Sequence, residues 1–117
     1  MYASSSLALA AMETFVNLEP NLRPDDLVST EGEIRDVIEI GRLDPKTLPD
    51  DWYETRDESL RRVGDDWVRI GLTVALLVPS AAIGGEWNIL LNPAHPEFSR
   101  IRFRNPAPFA FDMRMFR

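Results

Sequence analysis

A chain of 117 residues has room for one domain with a modest core, and its fractions of 44% hydrophobic and 27% charged residues are those of an ordinary soluble protein. The net charge of −6 argues against a nucleic-acid binder, which needs clustered Lys and Arg, and would suit a basic protein partner. The absence of cysteine and the single histidine, His95, exclude disulfides, thiolate metal sites and an ordinary zinc site.

The first predicted element is a helix over residues 5–18 (SSLALAAMETFVNL), which is rich in Ala, Leu and Met and opens with serines that can cap it. Its apolar residues go almost all the way round, as in a helix buried on most sides. Glu13 is its one charged residue, and carboxylates are rarely buried unless they are paired or functional. Spacing alone leaves two interpretations open: Glu13 lines a functional site, or it lies on a narrow exposed strip beside Asn17.

The same N-terminal region gives no sign of a membrane segment. Its longest apolar run, residues 7–12, is far too short to cross a bilayer, and no Lys or Arg precedes that run as in a signal peptide. We therefore expect a cytoplasmic protein without contact to membranes or nucleic acid.

Short strands and a loop are predicted next. Residues 27–28 and 34–40 favour β structure, whereas residues 43–52 carry two prolines and an Asp pair and predict a loop.

A second helix has clear predicted boundaries. Thr55 and Glu58 fit a capping box, and Gly71 fits a stop signal. The helical spacing predicts a buried face made of Leu60, Val63, Trp67 and Ile70. Gly64 within this helix indicates that another backbone packs close to it. We expect Trp67 to be a core residue rather than a platform for a ligand.

Residues 72–79 (LTVALLVP) predict a central strand, because an apolar run without polar alternation is typical of a strand covered on both faces. Ser80 follows where this strand enters a glycine-containing turn, a common place for a site residue. A capping or turn role for Ser80 is the alternative, and the residues alone favour it. Residues 86–91 (EWNILL) are then expected to form a helical turn, and residues 101–103 and 109–111 short closing strands.

No single chemical motif suffices to assign a function. The chain has no glycine-rich phosphate loop, no nucleophile elbow and no ligand cluster. From the residues alone we predict an α+β domain with one conspicuous acid and one conspicuous serine.

Several segments match one known pattern in order and spacing. They are residues 2–13 (YASSSLALAAME), 64–71 (GDDWVRIG), 76–81 (LLVPSA) and 85–98 (GEWNILLNPAHPEF), followed by 101–103 (IRF) and 108–116 (PFAFDMRMF). Together they resemble the RES domain family of bacterial NAD⁺-degrading toxins, and the EWNxLLNPxHP run is the most specific piece. The resemblance implies one RES domain over residues 1–117, with a split mixed β-sheet core and flanking helices. That α+β fold is similar to the ADP-ribosyltransferase toxins, here without the family's N-terminal strands.

The resemblance also implies site residues. By position, the family's active-site Glu corresponds to Glu13 and its Ser to Ser80, while Tyr2 matches a tyrosine of the same pocket that can stack on nicotinamide. The family's active-site Arg lies upstream of that tyrosine and has no counterpart in these 117 residues, so the chain as given is expected to be weakly active or inactive. Asn88 and Trp87 are expected to support the pocket wall rather than to do chemistry.

The function implied by the resemblance is that of a toxin in a bacterial toxin–antitoxin system. NAD⁺ is the implied substrate, without a cofactor, and the bond between nicotinamide and ribose is cleaved by phosphorolysis or hydrolysis. That step develops positive charge on the ribose, which a carboxylate stabilises. The implied partner is a helix-turn-helix antitoxin that blocks the cleft. The alternatives are an inactive module that still binds an antitoxin and, more distantly, a mono-ADP-ribosyltransferase.

Overall fold

The computed structural model describes residues 1–54 and 58–117, which form a four-stranded mixed sheet, two two-stranded sheets and two α-helices. The helices are α1 (Leu7–Val16) and α2 (Ser59–Ile70). The strands are β1 (Tyr2–Ser4), β2 (Val28–Ser29), β3 (Gly32–Glu33), β4 (Gly41–Arg42), β5 (Ala75–Pro79), β6 (Trp87–Leu91), β7 (Arg102–Phe103) and β8 (Ala107–Pro108). Three short 3₁₀ helices also occur in this part of the chain, at Pro45–Thr47, Pro96–Arg100 and Met113–Phe116. The predicted α+β class with a split mixed sheet is confirmed.

The main sheet has the order β1-β6-β5-β4. Strand β5 lies inside it, antiparallel to β6 and parallel to β4, and four of its five residues are buried. The prediction of a central strand covered on both faces is thus confirmed, although the strand begins at Ala75 and Leu72 is 80% exposed. The apolar run has no polar alternation because neither face of β5 meets solvent.

The helical turn predicted for residues 86–91 is wrong. Trp87–Leu91 is strand β6, which pairs with β5 on one side and with β1 on the other. A short apolar run fits a buried helix or a buried strand equally well, and here the backbone hydrogen bonds of two neighbouring strands decide.

The first helix begins later than expected and is less buried. Ser6 is its N-cap, with the Oγ accepting a hydrogen bond from the backbone N–H of Leu9 at 3.1 Å. Leu9 is the buried residue of the helix, whereas Leu7 and Val16 are each 56% exposed. The serine cap is confirmed, and the prediction of burial on most sides is wrong.

The second helix ends where the sequence predicts, at Gly71, whose φ of 70° is the left-handed conformation that favours glycine. Thr55 of the predicted capping box lies outside the described residues. Glu58 is the residue before the helix rather than its third residue, and its side chain does not cap the helix. The capping box as predicted is therefore wrong in its placement of Glu58.

The packing of α2 against the sheet is close at Gly64. This glycine is buried, and a Cβ there would lie 3.2 Å from Cδ1 of Leu90 on β6. The close neighbour is therefore a side chain, and the prediction of a close backbone is wrong. The predicted core residue Trp67 is partly buried and donates from Nε1 to Thr73 Oγ1 at 2.9 Å. Ile70 is 67% exposed, so its predicted place on the buried face is wrong.

The remaining short elements match the predictions in part. The strand predicted over residues 34–40 is wrong, because these residues turn between β3 and β4 and bring Ile38 into the core. The loop over residues 43–52 and the strand near 101–103 are confirmed. The last strand lies at Ala107–Pro108, so the strand predicted over 109–111 is wrong; there the rings of Phe109 and Phe111 meet edge to face.

One hydrophobic cluster of the core lies on one face of the main sheet. Its buried residues are Ile38, Val74, Ala75, Leu91 and Ile101. Because strand neighbours alternate between faces, the register places Ala3 and Ile89 towards this core, and Ser4 and Asn88 on the opposite face. Neither helix in the described residues has the length and apolar character needed to cross a membrane.

Candidate active site

A hydrogen-bonded network joins four polar side chains that come from separate parts of the chain. Glu13 lies on α1, Ser80 directly follows β5, Asn88 lies on β6 and Tyr2 on β1. Asn88 is 0% exposed and Ser80 3% exposed, whereas Tyr2 is 55% exposed. The network therefore runs from the interior of the protein to its surface.

The carboxylate of Glu13 is held through one of its two oxygens. Oε1 accepts hydrogen bonds from Ser80 Oγ and from Asn88 Nδ2, both at 2.6 Å. Both donors are uncharged, and no ion pair among the described residues reaches Glu13. The carboxylate thus keeps an uncompensated negative charge, and no residue described by the structure donates to Oε2.

Ser80 makes the contacts of a turn residue and also contacts Glu13. Its hydroxyl donates to Glu13, and its Oγ accepts from the backbone N–H groups of Ala82 and Ile83 at 3.1 Å each. One side chain therefore shapes the turn after β5 and fixes the carboxylate. The turn interpretation and the site interpretation of Ser80 are compatible.

Asn88 connects the members of the network. Its Nδ2 donates to Glu13 and, at 2.8 Å, to the hydroxyl of Tyr2, while its Oδ1 accepts from Ser4 Oγ at 2.6 Å. Both of its donor hydrogens and its acceptor are used. We expected Asn88 only to support a wall. A polar residue inside the apolar strand β6 was the signal that could have indicated more, but it is visible only once the segment is recognised as a strand.

The electrostatics of the network affect Tyr2. Burial of its hydroxyl and the nearby charge of Glu13 raise the pKa of Tyr2 above the usual value, and the hydrogen bond from Asn88 partly offsets this increase. The phenol therefore stays protonated at neutral pH. Because its oxygen accepts from Asn88, its proton is left to donate elsewhere.

Removing the charge of Glu13 should lower the pKa of Tyr2. We expect Glu13→Gln to shift the alkaline titration of Tyr2 to lower pH, because the Coulombic contribution of the carboxylate disappears. Absorbance of the phenolate measures it, in a Tyr53→Phe background that leaves Tyr2 as the one tyrosine of the chain. The control is Glu33→Gln, which removes an exposed carboxylate on β3. If Tyr2 has the same pKa with Glu13 and with Gln at position 13, the electrostatic contact between Glu13 and Tyr2 is contradicted.

A cavity of about 980 Å³ adjoins the network. It is bounded by β1, by the first turns of α1 and by residues 27–32, and both Tyr2 and Ser4 line it. Glu13, Ser80 and Asn88 are absent from its lining. Ala3, Ile89 and Leu91, which face the core, also line the cavity, so it lies mainly on the face of the sheet opposite to Asn88. The cavity and the network share only Tyr2 and Ser4 of β1.

Trp87 lies outside the network. As the strand neighbour of Asn88 it faces the other side of β6, where the guanidinium of Arg42 lies 4.4 Å from its ring centroid. The structure thus brings Tyr2, Glu13 and Ser80 together through Asn88, and it leaves Trp87 on the far side of the sheet.

Comparison with known proteins identifies a family. The model of the RES domain matches residues 1–112. Over 120 residues the chain is 35% identical to the Prs ADP-ribosylating toxin of Sphingobium sp. strain YBL2, which covers 100% of this chain and 74% of that protein. It is 32% identical over 117 residues to a Toxin Res of Yersinia enterocolitica, covering 98% of this chain and 76% of that protein. A Toxin Res of Photorhabdus laumondii is 29% identical over 101 residues, which are 86% of this chain and 64% of that protein.

Proposed function

From the premise that the chain belongs to the RES domain family, we propose that it is a toxin that cleaves the bond between nicotinamide and ribose in NAD⁺. The names of its relatives, Toxin Res and Prs ADP-ribosylating toxin, support the toxin role. One observation carries the proposed reaction. The carboxylate of Glu13 is fixed by two uncharged donors on Oε1, and no described residue binds Oε2.

This arrangement suits a reaction that passes through a cation. When the bond between the nicotinamide nitrogen and ribose C1′ breaks, its electron pair leaves with nicotinamide and positive charge develops on the ribose. A fixed carboxylate without a Lys or Arg partner stabilises that charge, since none of its own charge is neutralised beforehand. Tyr2 has an exposed ring on which nicotinamide can stack, and its hydroxyl proton is available for a substrate oxygen.

The acceptor that attacks C1′ distinguishes two candidate functions. With water or phosphate as acceptor, the acceptor oxygen bonds to C1′, loses a proton and NAD⁺ is degraded. With a protein side chain as acceptor, the same step transfers ADP-ribose to that protein. The relative named as a Prs ADP-ribosylating toxin favours this second candidate, with Prs as the acceptor.

We further propose an antitoxin partner of the helix-turn-helix type, which blocks the site in a cytoplasmic complex. The relatives named Toxin Res support the existence of a cognate antitoxin. An inactive chain that only binds this antitoxin is the alternative to an enzyme.

One assay tests these proposals together. The purified chain is incubated with NAD⁺ in three parallel reactions: with buffer alone, with phosphate, and with Prs and labelled NAD⁺. We expect one nicotinamide released for each NAD⁺ consumed, and the reaction that proceeds fastest identifies the acceptor. A fourth reaction uses a version extended to include the family's upstream Arg. If neither folded protein releases nicotinamide, the proposed reaction is wrong; if only the extended version does, the 117 residues alone are the inactive binding module.

A further inference from the structure

We propose that Asn88 is a positioning residue that determines which oxygen of Glu13 and which atom of Tyr2 face the substrate. The inference rests on the proposed function above, because it concerns the same site. It goes beyond that function by assigning a role to a residue that contacts neither the reacting bond nor the solvent, since Asn88 is 0% exposed.

The orientation of the Asn88 amide follows from its neighbours. A carboxylate can only accept hydrogen bonds, so the group that contacts Glu13 at 2.6 Å must be the NH₂ end of the amide. The carbonyl end then faces Ser4, whose hydroxyl donates to it at 2.6 Å. Strand β1 therefore holds the acceptor end of the amide while α1 receives one of its donors.

The first consequence concerns Glu13. Ser80 alone would leave the carboxylate free to turn about its terminal torsion, which has a broad, roughly two-fold energy profile. The second donor, from Asn88, comes from a different strand and contacts the same oxygen. Together the two donors select one orientation of the carboxylate, in which Oε1 is occupied and no described residue donates to Oε2.

The second consequence concerns Tyr2. Its hydroxyl lies close enough to Glu13 for the carboxylate to raise its pKa, and an unrestrained phenol would donate its proton to such a carboxylate. The Nδ2 group of Asn88 donates to the phenol oxygen at 2.8 Å and to the carboxylate at 2.6 Å, so it bridges the two side chains. Glu13 and Tyr2 are thereby prevented from bonding each other, and both remain available to the substrate.

Asn88→Asp tests the proposal with little change in shape. Apart from the introduced carboxyl, the titratable groups that face this position are Glu13 and Tyr2, and the other neighbour, Ser4, is neutral. An aspartate donates a hydrogen bond only while it is protonated. We therefore expect kcat for nicotinamide release to fall about 100-fold at neutral pH, as for a misplaced reacting group, with little change in KM and with partial recovery towards acidic pH.

Asn92→Asp is the matched control. Asn92 is also buried, at 5% exposure, but its Oδ1 accepts from the backbone N–H of Ala94, which an aspartate can do equally well. We expect its kcat and pH profile to equal those of the unmodified chain. If Asn88→Asp fails to fold by circular dichroism, Asn88→Ser replaces it, because a serine has one donor and cannot serve both Glu13 and Tyr2.

Two outcomes would overturn the proposal. The first is a folded Asn88 variant with unchanged kcat and pH profile. The second is an unchanged pKa of Tyr2 when Asn88→Ser is titrated in the Tyr53→Phe background, since loss of the amide hydrogen bond should raise that pKa. The titration needs no turnover. If the unmodified chain releases no nicotinamide, the proposed function fails on its own, and the pKa of Tyr2 still decides the role of Asn88.

Discussion

Glu13→Gln is expected to lower kcat for nicotinamide release by at least about 100-fold, as does removal of a group that stabilises transition-state charge, and to leave the fold unchanged. The amide oxygen of the glutamine can accept the hydrogen bonds that Oε1 now receives from Ser80 and Asn88. Its NH₂ group then takes the place of Oε2, to which no described residue donates. The variant therefore retains the network and loses only the negative charge that the proposed reaction requires.

The measurement is nicotinamide release at saturating NAD⁺, with the melting temperature as a check on folding. Glu33→Gln serves as control, because it removes the same charge from an exposed position on β3 and should retain full activity. A folded Glu13→Gln variant that turns over NAD⁺ at the rate of the unmodified chain would refute the catalytic role of Glu13.

Leu91→Ala is expected to lower the free energy of unfolding by about 2–5 kcal/mol, the usual cost of truncating a buried leucine. Leu91 is 5% exposed and packs with Val74 and Ile101 in the core. It also ends strand β6, and its backbone pairs with Ala75 on β5 and with Met1. Truncation removes this packing at the point where β6 is joined to both neighbours.

Leu72→Ala is the matched control for this prediction. The same side chain is removed, but Leu72 is 80% exposed, so the free energy of unfolding should change by less than about 0.5 kcal/mol. Urea denaturation followed by tryptophan fluorescence measures both variants. If Leu91→Ala and Leu72→Ala lower the free energy of unfolding by the same amount, the core is not where the structure places it.

Local signals in the sequence predicted the elements that depend on near neighbours. The serine cap of α1 and the glycine stop of α2 each involve residues within one helical turn, and both were identified. The apolar run that became β5 was recognised because its burial on both faces leaves a clear pattern.

Elements that depend on distant partners could not be predicted in this way. The segment Trp87–Leu91 is a strand because β1 and β5 hydrogen-bond to it, and nothing within its own five residues excludes a helical turn. The candidate site also depends on contacts between residues that are distant in the sequence. The residues alone indicate Glu13 and Ser80 as candidates and the family resemblance implies their roles, but the role proposed for Asn88 follows only from contacts with residues 75 and 86 positions away.

These long separations have a consequence for the order in which the molecule assembles. The hydrogen bond between Glu13 and Ser80 closes a span of 67 residues, and the pairing of Met1 with Leu91 closes one of 90. Contacts so distant in sequence slow folding, because the entropy of loop closure is lost before any of them forms. On the ribosome, β1 and α1 emerge before β6 and must wait, unpaired, for it. The pocket can therefore form only after residue 91 has left the exit tunnel, so a partly synthesised chain has no assembled site.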